Sequence, residues 1–217
     1  MKKIIMFIVS LFLLTSCNIK QVSINAISYV IIEQSTNKII EGNNYDVQRS
    51  VASISKIMTA ILVIENIELD KIVKVPKQIN DVDGSSIYLK ENEEITIEKL
   101  LYGLLLRSGN DAAITLALSV SNTISGFVRL MNEKANILNM NNTIFNNPSG
   151  LDELDGGNIS TSYDMAILYS YCLDNPTFSK IVSSKSYGTY INKNKLLNNY
   201  QYCTGGKTGV APVFCEI

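Results

Sequence analysis

The segment Ala52-Ser53-Ile54-Ser55-Lys56-Ile57-Met58-Thr59-Ala60 carries most of the information in this 217-residue chain. It opens the apolar run 54–64, whose length and content of Ala, Met and Leu predict a buried helix rather than a strand. A lysine three residues after a serine lies on the same face of such a helix and reaches the serine hydroxyl. Ser53 is therefore a candidate nucleophile, and Lys56 is a candidate for the base that activates it.

The absence of histidine supports Lys56 as the base that takes the serine proton. The chain contains no His, so an arrangement in which imidazole takes the serine proton cannot be built. Only about one lysine in 10³ is neutral at pH 7 when its pKa is near 10.4, so the pKa of Lys56 has to fall by about three, which corresponds to roughly 4 kcal/mol. Burial and a neighbouring Lys207 cation both lower it, and we predict a largely neutral Lys56.

Two further motifs give the serine and lysine their context. Ser108-Gly109-Asn110 falls between two predicted helices, Ile97–Arg107 and 111–120. Lys207-Thr208-Gly209 follows a predicted hairpin, and we expect it on a late strand. Each motif is weak alone because short matches arise by chance. Together, in this order and context, the three motifs predict a serine acyl-transfer site.

The rest of the chain predicts a mixture of helices and strands. Hydrophobic periodicity and turn residues give the boundaries. The predicted elements are an N-terminal hairpin of strands 27–32 and 38–41, turn-rich surface structure at 67–96, a helix at 123–139, a loop at 146–152, a helix capped by Ser160 or Thr161 and ending at 173, and a hairpin within 186–202.

The first residues predict export. Lys2 and Lys3 precede the apolar run 4–14, which is too short to span a membrane and is typical of a signal peptide. The small residues before Cys17 resemble a lipobox, so we expect 1–16 to be a lipoprotein-type signal peptide and Cys17 to be the lipidated first residue. An ordinary signal peptide cleaved nearby stays open as the alternative. Residues 17–26 are then a linker to one domain, 27–217.

Composition limits the other functions. The chain is 46% hydrophobic and 18% charged, which is typical of one folded domain. Its net charge of −1 becomes −3 without the two lysines of the leader, so no nucleic-acid partner is indicated. The remaining cysteines have no metal-type spacing, which argues against a zinc site; a disulfide between the first two of them and free thiols both stay open. These cysteines are Cys172, Cys203 and Cys215.

The motifs and their surroundings resemble the penicillin-binding serine D-Ala-D-Ala carboxypeptidases of low molecular mass, of the peptidase S11 type. The resemblance extends to three further stretches. It implies a mixed α/β fold of the β-lactamase/transpeptidase type: a central antiparallel sheet flanked by helices, with an all-helical subdomain between the first two motifs and the third. It implies no metal or organic cofactor. The three stretches are 108–113 (Ser-Gly-Asn-Asp-Ala-Ala), 147–152 (Asn-Pro-Ser-Gly-Leu-Asp) and 162–166 (Ser-Tyr-Asp-Met-Ala).

The resemblance also implies roles for individual residues. Ser53 would attack the carbonyl of the penultimate D-alanine, and Lys56 would take its proton. Further residues would serve the leaving group and the substrate. Ser108 and Lys207 would relay protons to the leaving D-alanine, and the backbone amides of Ser53 and Val210 would form the oxyanion hole. Asn110 would hold the substrate amide, while Lys207 and Thr208 would bind the terminal carboxylate. Gly209 would let the substrate lie along the strand edge.

The same resemblance names the partners and the compartment. The substrate would be the peptidoglycan stem peptide ending in D-Ala-D-Ala, with β-lactams as covalent inhibitors. The lipid on Cys17 would hold the protein on the extracytoplasmic face of the membrane.

The chain departs from the family after its third motif. Family members continue with two more strands and a closing helix, whereas this chain ends eight residues after Gly209, with Pro212 removing a backbone donor. We therefore expect a C-terminally truncated domain with an open sheet edge. Two alternatives follow: a non-catalytic or inactive cell-wall-binding lipoprotein, and a β-lactamase in which Glu153 would assist deacylation.

Overall fold

Helix α1, Lys56–Asn66, lies at the centre of the computed structural model, which describes residues 24–151 and 157–209. Every side chain from Lys56 to Val63 is buried. A helix that is buried all round needs neighbours on every side, and α1 contacts five other helices. The buried helix predicted at 54–64 is confirmed. The contacting helices are α2 (Ile97–Arg107), α3 (Asn110–Val120), α4 (Ile124–Ile137), α5 (Ser162–Leu173) and α6 (Pro176–Ser183).

The helices were largely predictable from local sequence. Helix α2 has the bounds that the pattern predicts, and α3 and α4 differ from their predicted ranges by one or two residues. The hydroxyl of Thr161 accepts from the backbone N–H of Asp164 at 3.0 Å, which identifies Thr161 as the cap of α5. Helix α6 was missed, although Pro176 at its first turn and the Asn175 cap are start signals. The short helix α7, Leu196–Asn199, was also missed.

Strand pairing in the described residues consists of four two-stranded antiparallel ladders and one isolated bridge, between Ile144 and Ile159. The first is the predicted N-terminal hairpin, and α5 packs against its first strand, so that a helix flanks this sheet. The fold is thus mixed α/β. The ladders are β1 (Tyr29–Ile32) with β2 (Ile39–Asn43), β3 (Arg49–Ser50) with β6 (Ile159–Ser160), β4 (Ile72–Lys74) with β5 (Glu94–Thr96), and β7 (Ser186–Tyr187) with β8 (Tyr190–Ile191).

The third motif differs from the prediction, because residues 203–209 form no strand in the described part of the chain. Hydrogen bonds from side chains hold this segment in place, rather than pairing with another strand. The carbonyl of Gly205 accepts from Asn194 Nδ2 at 3.4 Å and from the Cys203 thiol at 3.5 Å. Cys203 and the buried Cys172 are free thiols, which decides against a disulfide between them.

The region between the second and third motifs is mainly helical, with α4 to α7 interrupted by β6 and the β7–β8 hairpin. No single helix in the ranges 24–151 and 157–209 is long and apolar enough to cross a membrane; α3 and α4 meet the length and composition criteria only as a pair that is bent by 87°.

Candidate active site

Ser53 lies in a short 3₁₀ turn, Ala52–Ser55, that runs directly into α1. Nζ of Lys56, one turn further on, donates to Ser53 Oγ at 3.0 Å. The spacing of three residues therefore gives the contact that it predicts. The turn itself is fixed from inside, because Ser55 Oγ donates to the carbonyl of Ala52 at 2.7 Å.

Lys56 lies in surroundings that favour its neutral form. Its exposed fraction is 0%, and burial is the main reason that its pKa lies well below the usual value, with the cations of Lys207 and Lys193 acting in the same direction. The carboxylate of Asp111 acts in the opposite direction. A neutral amine in contact with a serine hydroxyl can accept the hydroxyl proton.

The loop 146–151 supports both members of this pair. The carbonyl of Ser149 accepts a hydrogen bond from Lys56 Nζ, and Asn147 Oδ1 folds the loop by accepting from the N–H of Ser149 at 3.1 Å and of Gly150 at 2.7 Å. Gly150 has φ +72°, and a Cβ there would lie 1.8 Å from the carbonyl oxygen of Ala52. Only glycine lets the loop approach this closely to the turn Ala52–Ser55, which carries the candidate nucleophile and is called the nucleophile turn below.

A second serine–lysine contact joins distant parts of the chain. Ser108 ends α2 in a left-handed conformation, φ 64°, which turns its hydroxyl towards the third motif. Nζ of Lys207 donates to Ser108 Oγ at 2.9 Å and also to the carbonyl of Thr208. Burial, and next the Lys193 cation, lower the pKa of Lys207 to about 7. Lys207 can therefore gain and lose a proton near neutral pH.

Asn110 is the first residue of α3, and hydrogen bonds fix both its backbone and its side chain. Its backbone N–H donates to the carbonyl of Ser85 at 2.6 Å, and its side-chain Nδ2 donates to the carbonyl of Asp83 at 2.6 Å. Gly84 makes room for this contact, since a Cβ there would lie 2.9 Å from Asn110 Nδ2. The turn-rich segment predicted around the site thus forms one of its walls.

These residues surround one cavity of about 300 Å³. Lys56 and Lys207 reach it through the hydroxyls of Ser53 and Ser108. Gly209 lies against the nucleophile turn, where a Cβ would be 3.0 Å from Ile54 Cγ1, rather than on a strand edge. Val210, Cys17 and Glu153 are outside the described residues. The predicted residues that line the cavity are Ser53, Ser108, Asn110, Thr208 and Gly209.

The sequence prediction missed Lys193 as part of the cavity wall. Its Nζ donates to Ser85 Oγ at 3.1 Å, and its pKa is lowered, by partial burial first and by the Arg107 cation second. The flanking Asn192 and Asn194 are buried and form a turn, with the N–H of the second bonded to Oδ1 of the first at 2.9 Å. Asparagines on both sides of a lysine are a turn signal that could have drawn attention to it.

The fold and this arrangement define a class, the penicillin-binding DD-peptidases. The structure superposes on a variant of the Streptomyces K15 DD-transpeptidase with a TM-score of 0.83 at 31% identity, covering 88% of this chain and 83% of that one. It matches the Mycobacterium tuberculosis D-alanyl-D-alanine carboxypeptidase with a TM-score of 0.81 at 29% identity, covering 86% and 74%.

Sequence comparison gives the family. The model of the D-alanyl-D-alanine carboxypeptidases, peptidase S11, matches residues 15–212, and the chain belongs to this family. It is 34% identical over 201 residues to the carboxypeptidase DacF of Bacillus subtilis, covering 84% of this chain and 50% of that one. For DacB2 of Mycobacterium tuberculosis the identity is 29%, covering 84% and 65%. The chain thus spans half to two thirds of these relatives. A model of the prokaryotic membrane lipoprotein lipid attachment site matches residues 1–18.

Proposed function

We propose that the protein is a serine-type D-alanyl-D-alanine carboxypeptidase that removes the terminal D-alanine of peptidoglycan stem peptides. The observation that carries this proposal is the 3.0 Å contact between Ser53 Oγ and the fully buried amine of Lys56. Relatives at 34% and 31% identity bear this name, and they support the assignment.

The geometry suits acyl transfer in two steps. Ser53 Oγ attacks the carbonyl of the penultimate D-alanine while its proton passes to Lys56, and a tetrahedral intermediate forms. As the peptide bond breaks, the leaving amine takes a proton through Ser108, which Lys207 contacts at 2.9 Å. D-Alanine departs and leaves an ester on Ser53, which water then hydrolyses by the same proton route in reverse.

Substrate binding follows from the charge of the cavity. Lys207 and the Thr208 hydroxyl bind the terminal carboxylate, the side chain of Asn110 holds the substrate amide, and Lys193 adds a second positive charge to the wall. A bound carboxylate favours the protonated form of Lys207. β-Lactams, which carry a carboxylate beside a reactive amide, acylate Ser53 in the same way and remain attached.

The match of the lipid attachment model to residues 1–18 indicates a membrane-anchored lipoprotein. In the finer form of this proposal, residues 1–16 are removed, Cys17 carries the lipid, and residues 17–26 link it to the catalytic domain 27–217. The enzyme then works on the extracytoplasmic face of the membrane, where peptidoglycan is built.

Release of D-alanine from a peptide ending in D-Ala-D-Ala tests the proposal. We expect steady release by the wild-type protein, none by Ser53→Ala, and none from the same peptide ending in L-alanine. No release by a cooperatively folded wild-type protein would favour a non-catalytic binding module. Rapid hydrolysis of penicillin without a lasting adduct would favour a β-lactamase.

A further inference from the structure

Asp111, which follows the second motif, holds a buried carboxylate at the junction of α2 and α3. Its exposed fraction is 4%. The two oxygens accept from Ser86 Oγ at 2.6 Å, from the N–H groups of Ile87 and Leu89 at 3.1 Å, and from the N–H of Ala112 at 2.9 Å. Charge-assisted hydrogen bonds of this kind are among the stronger ones in proteins. Three of the four donors belong to a segment more than 20 residues earlier, so the carboxylate ties residues 86–89 to the start of α3.

Packing shows that this segment is fitted to the junction. Ile87 fills the space beside two glycines: a Cβ on Gly103 would lie 2.5 Å from Ile87 Cδ1, and one on Gly109 would lie 3.2 Å from Ile87 Cγ2. The Gly109 Cβ would also lie 2.8 Å from Asp111 Oδ1. Glycine at both positions lets the segment and the carboxylate approach the helices closely.

The tied segment leads directly into the cavity wall. Ser85 lines the cavity, accepts from the backbone N–H of Asn110 at 2.6 Å, and accepts from Lys193 Nζ at 3.1 Å. Displacement of residues 86–89 would therefore move Ser85, and with it Asn110 and Lys193, which also line the cavity.

We propose that Asp111 is a positioning residue of the active site, which sets the place of Asn110 and of the Ser85 wall through segment 86–89. This role rests on the proposed carboxypeptidase function. Asp111 touches no substrate itself. It acts through its neighbours, and its charge gives the role a second, independent readout.

That readout is the acid limb of the pH profile, where Lys56 becomes protonated. The charged groups that act on Lys56 are Lys207 and Lys193, which lower its pKa, and Asp111, which raises it. Removing the Asp111 charge disfavours the protonated lysine further, so that Lys56 loses its proton at a lower pH. The acid limb then moves to lower pH. A purely structural defect would reduce the rate at every pH and leave the limb in place.

Asp111→Asn keeps the shape and removes the charge. We expect KM for the D-Ala-D-Ala peptide to rise about tenfold, which corresponds to the loss of one good hydrogen bond, with a smaller change in kcat and an acid limb at lower pH. Amide hydrogen exchange at residues 86–89 should become faster. Ser119→Ala, whose hydroxyl bonds only the Thr115 carbonyl of its own helix at 2.7 Å, is the matched control and should behave as wild type.

Ser86→Ala tests the same wall with the charge in place and covers the case in which Asp111→Asn does not fold. It removes the hydroxyl that bonds the carboxylate and accepts from the N–H of Tyr88 at 2.8 Å. We expect a smaller rise in KM, faster exchange at 86–89 and an unmoved acid limb. A folded Asp111→Asn protein with wild-type KM and acid limb, or Ser86→Ala with wild-type KM and exchange, would overturn the positioning role. A wild-type protein that releases no D-alanine would refute the carboxypeptidase function instead, and the exchange rates would still test the anchoring.

Discussion

At the scale of residues, the site contains two serine–lysine contacts, in a chain that has no histidine. The Ser53–Lys56 contact was predictable because three residues on one turn determine it. The Ser108–Lys207 contact spans 99 positions and depends on how α2 and the third motif meet in space. Only the resemblance to a family pointed to it. Spacing alone carries no information about such a contact.

The pH dependence of the free protein follows from the two lysines. Lys56 has to be neutral to accept the serine proton, so kcat/KM rises with pH through its lowered pKa. Lys207 has to be charged to bind the carboxylate, and its pKa is about 7, so kcat/KM falls as the pH rises through that value. We expect a bell-shaped profile of kcat/KM against pH.

Lys207→Arg separates the two limbs. Arginine stays charged throughout the working range, so the alkaline decline should move to higher pH while the acid limb, which belongs to Lys56, keeps its shape. The maximum should be lower because the contact with Ser108 changes. An alkaline limb at the same pH in the variant would show that another group causes it.

At the scale of elements, the site depends on the meeting of the nucleophile turn, the 146–151 loop and the α2–α3 junction. Hydrophobic periodicity predicted the helices that carry these pieces. Periodicity could not predict that the 146–151 loop packs against the nucleophile turn. The backbones of the loop and the turn approach each other closely there, which is possible only because Gly150 has no side chain. The late strand predicted for Lys207-Thr208-Gly209 was wrong, because a strand needs a paired neighbour and the segment 203–209 is held by side-chain hydrogen bonds instead.

Gly150→Ala tests the contact between loop and turn. The new Cβ would lie 1.8 Å from the Ala52 carbonyl oxygen at φ +72°, so either the loop or the nucleophile turn has to move. We expect a loss of about 3 kcal/mol of unfolding free energy and strongly slowed acylation, measured by urea unfolding and penicillin labelling.

Gly188→Ala is the matched control. This glycine also has a positive φ, +55°, but nothing lies within 4 Å of its absent Cβ. It should therefore show only the backbone strain, about 1 kcal/mol, and acylate at the wild-type rate. Equal effects of the two substitutions would contradict the close fit of loop and turn.

At the scale of the whole molecule, the fold brings three motifs that begin at residues 53, 108 and 207 to one cavity, while residues 1–18 match the model of the prokaryotic lipoprotein lipid attachment site. Motif order and context predicted the class. Lys193 belongs to no motif, and although its flanking asparagines indicate a turn, they do not show that it lines the cavity. Lys193 reaches the cavity through the fold around α2, where its N–H donates to the Leu106 carbonyl at 3.1 Å.

Cys17→Ser tests the anchor in cells. Serine cannot carry the thioether-linked lipid, so we expect the variant to incorporate no labelled fatty acid and to leave the membrane fraction. Cys203→Ser, at a free thiol of the catalytic domain, should remain in the membrane fraction. Membrane retention and labelling of the Cys17 variant equal to wild type would contradict lipidation at this residue.

The most direct test of the Ser53–Lys56 acyl-transfer site is intact-mass measurement of the purified protein after exposure to penicillin, beside Ser53→Ala and Lys56→Met. We expect one covalent adduct on the wild-type protein, none on the serine variant, and an acylation rate that is about 10³ lower without the lysine base. An adduct that persists in Ser53→Ala, or its absence from a cooperatively folded wild-type protein, would contradict the assembled acyl-transfer site.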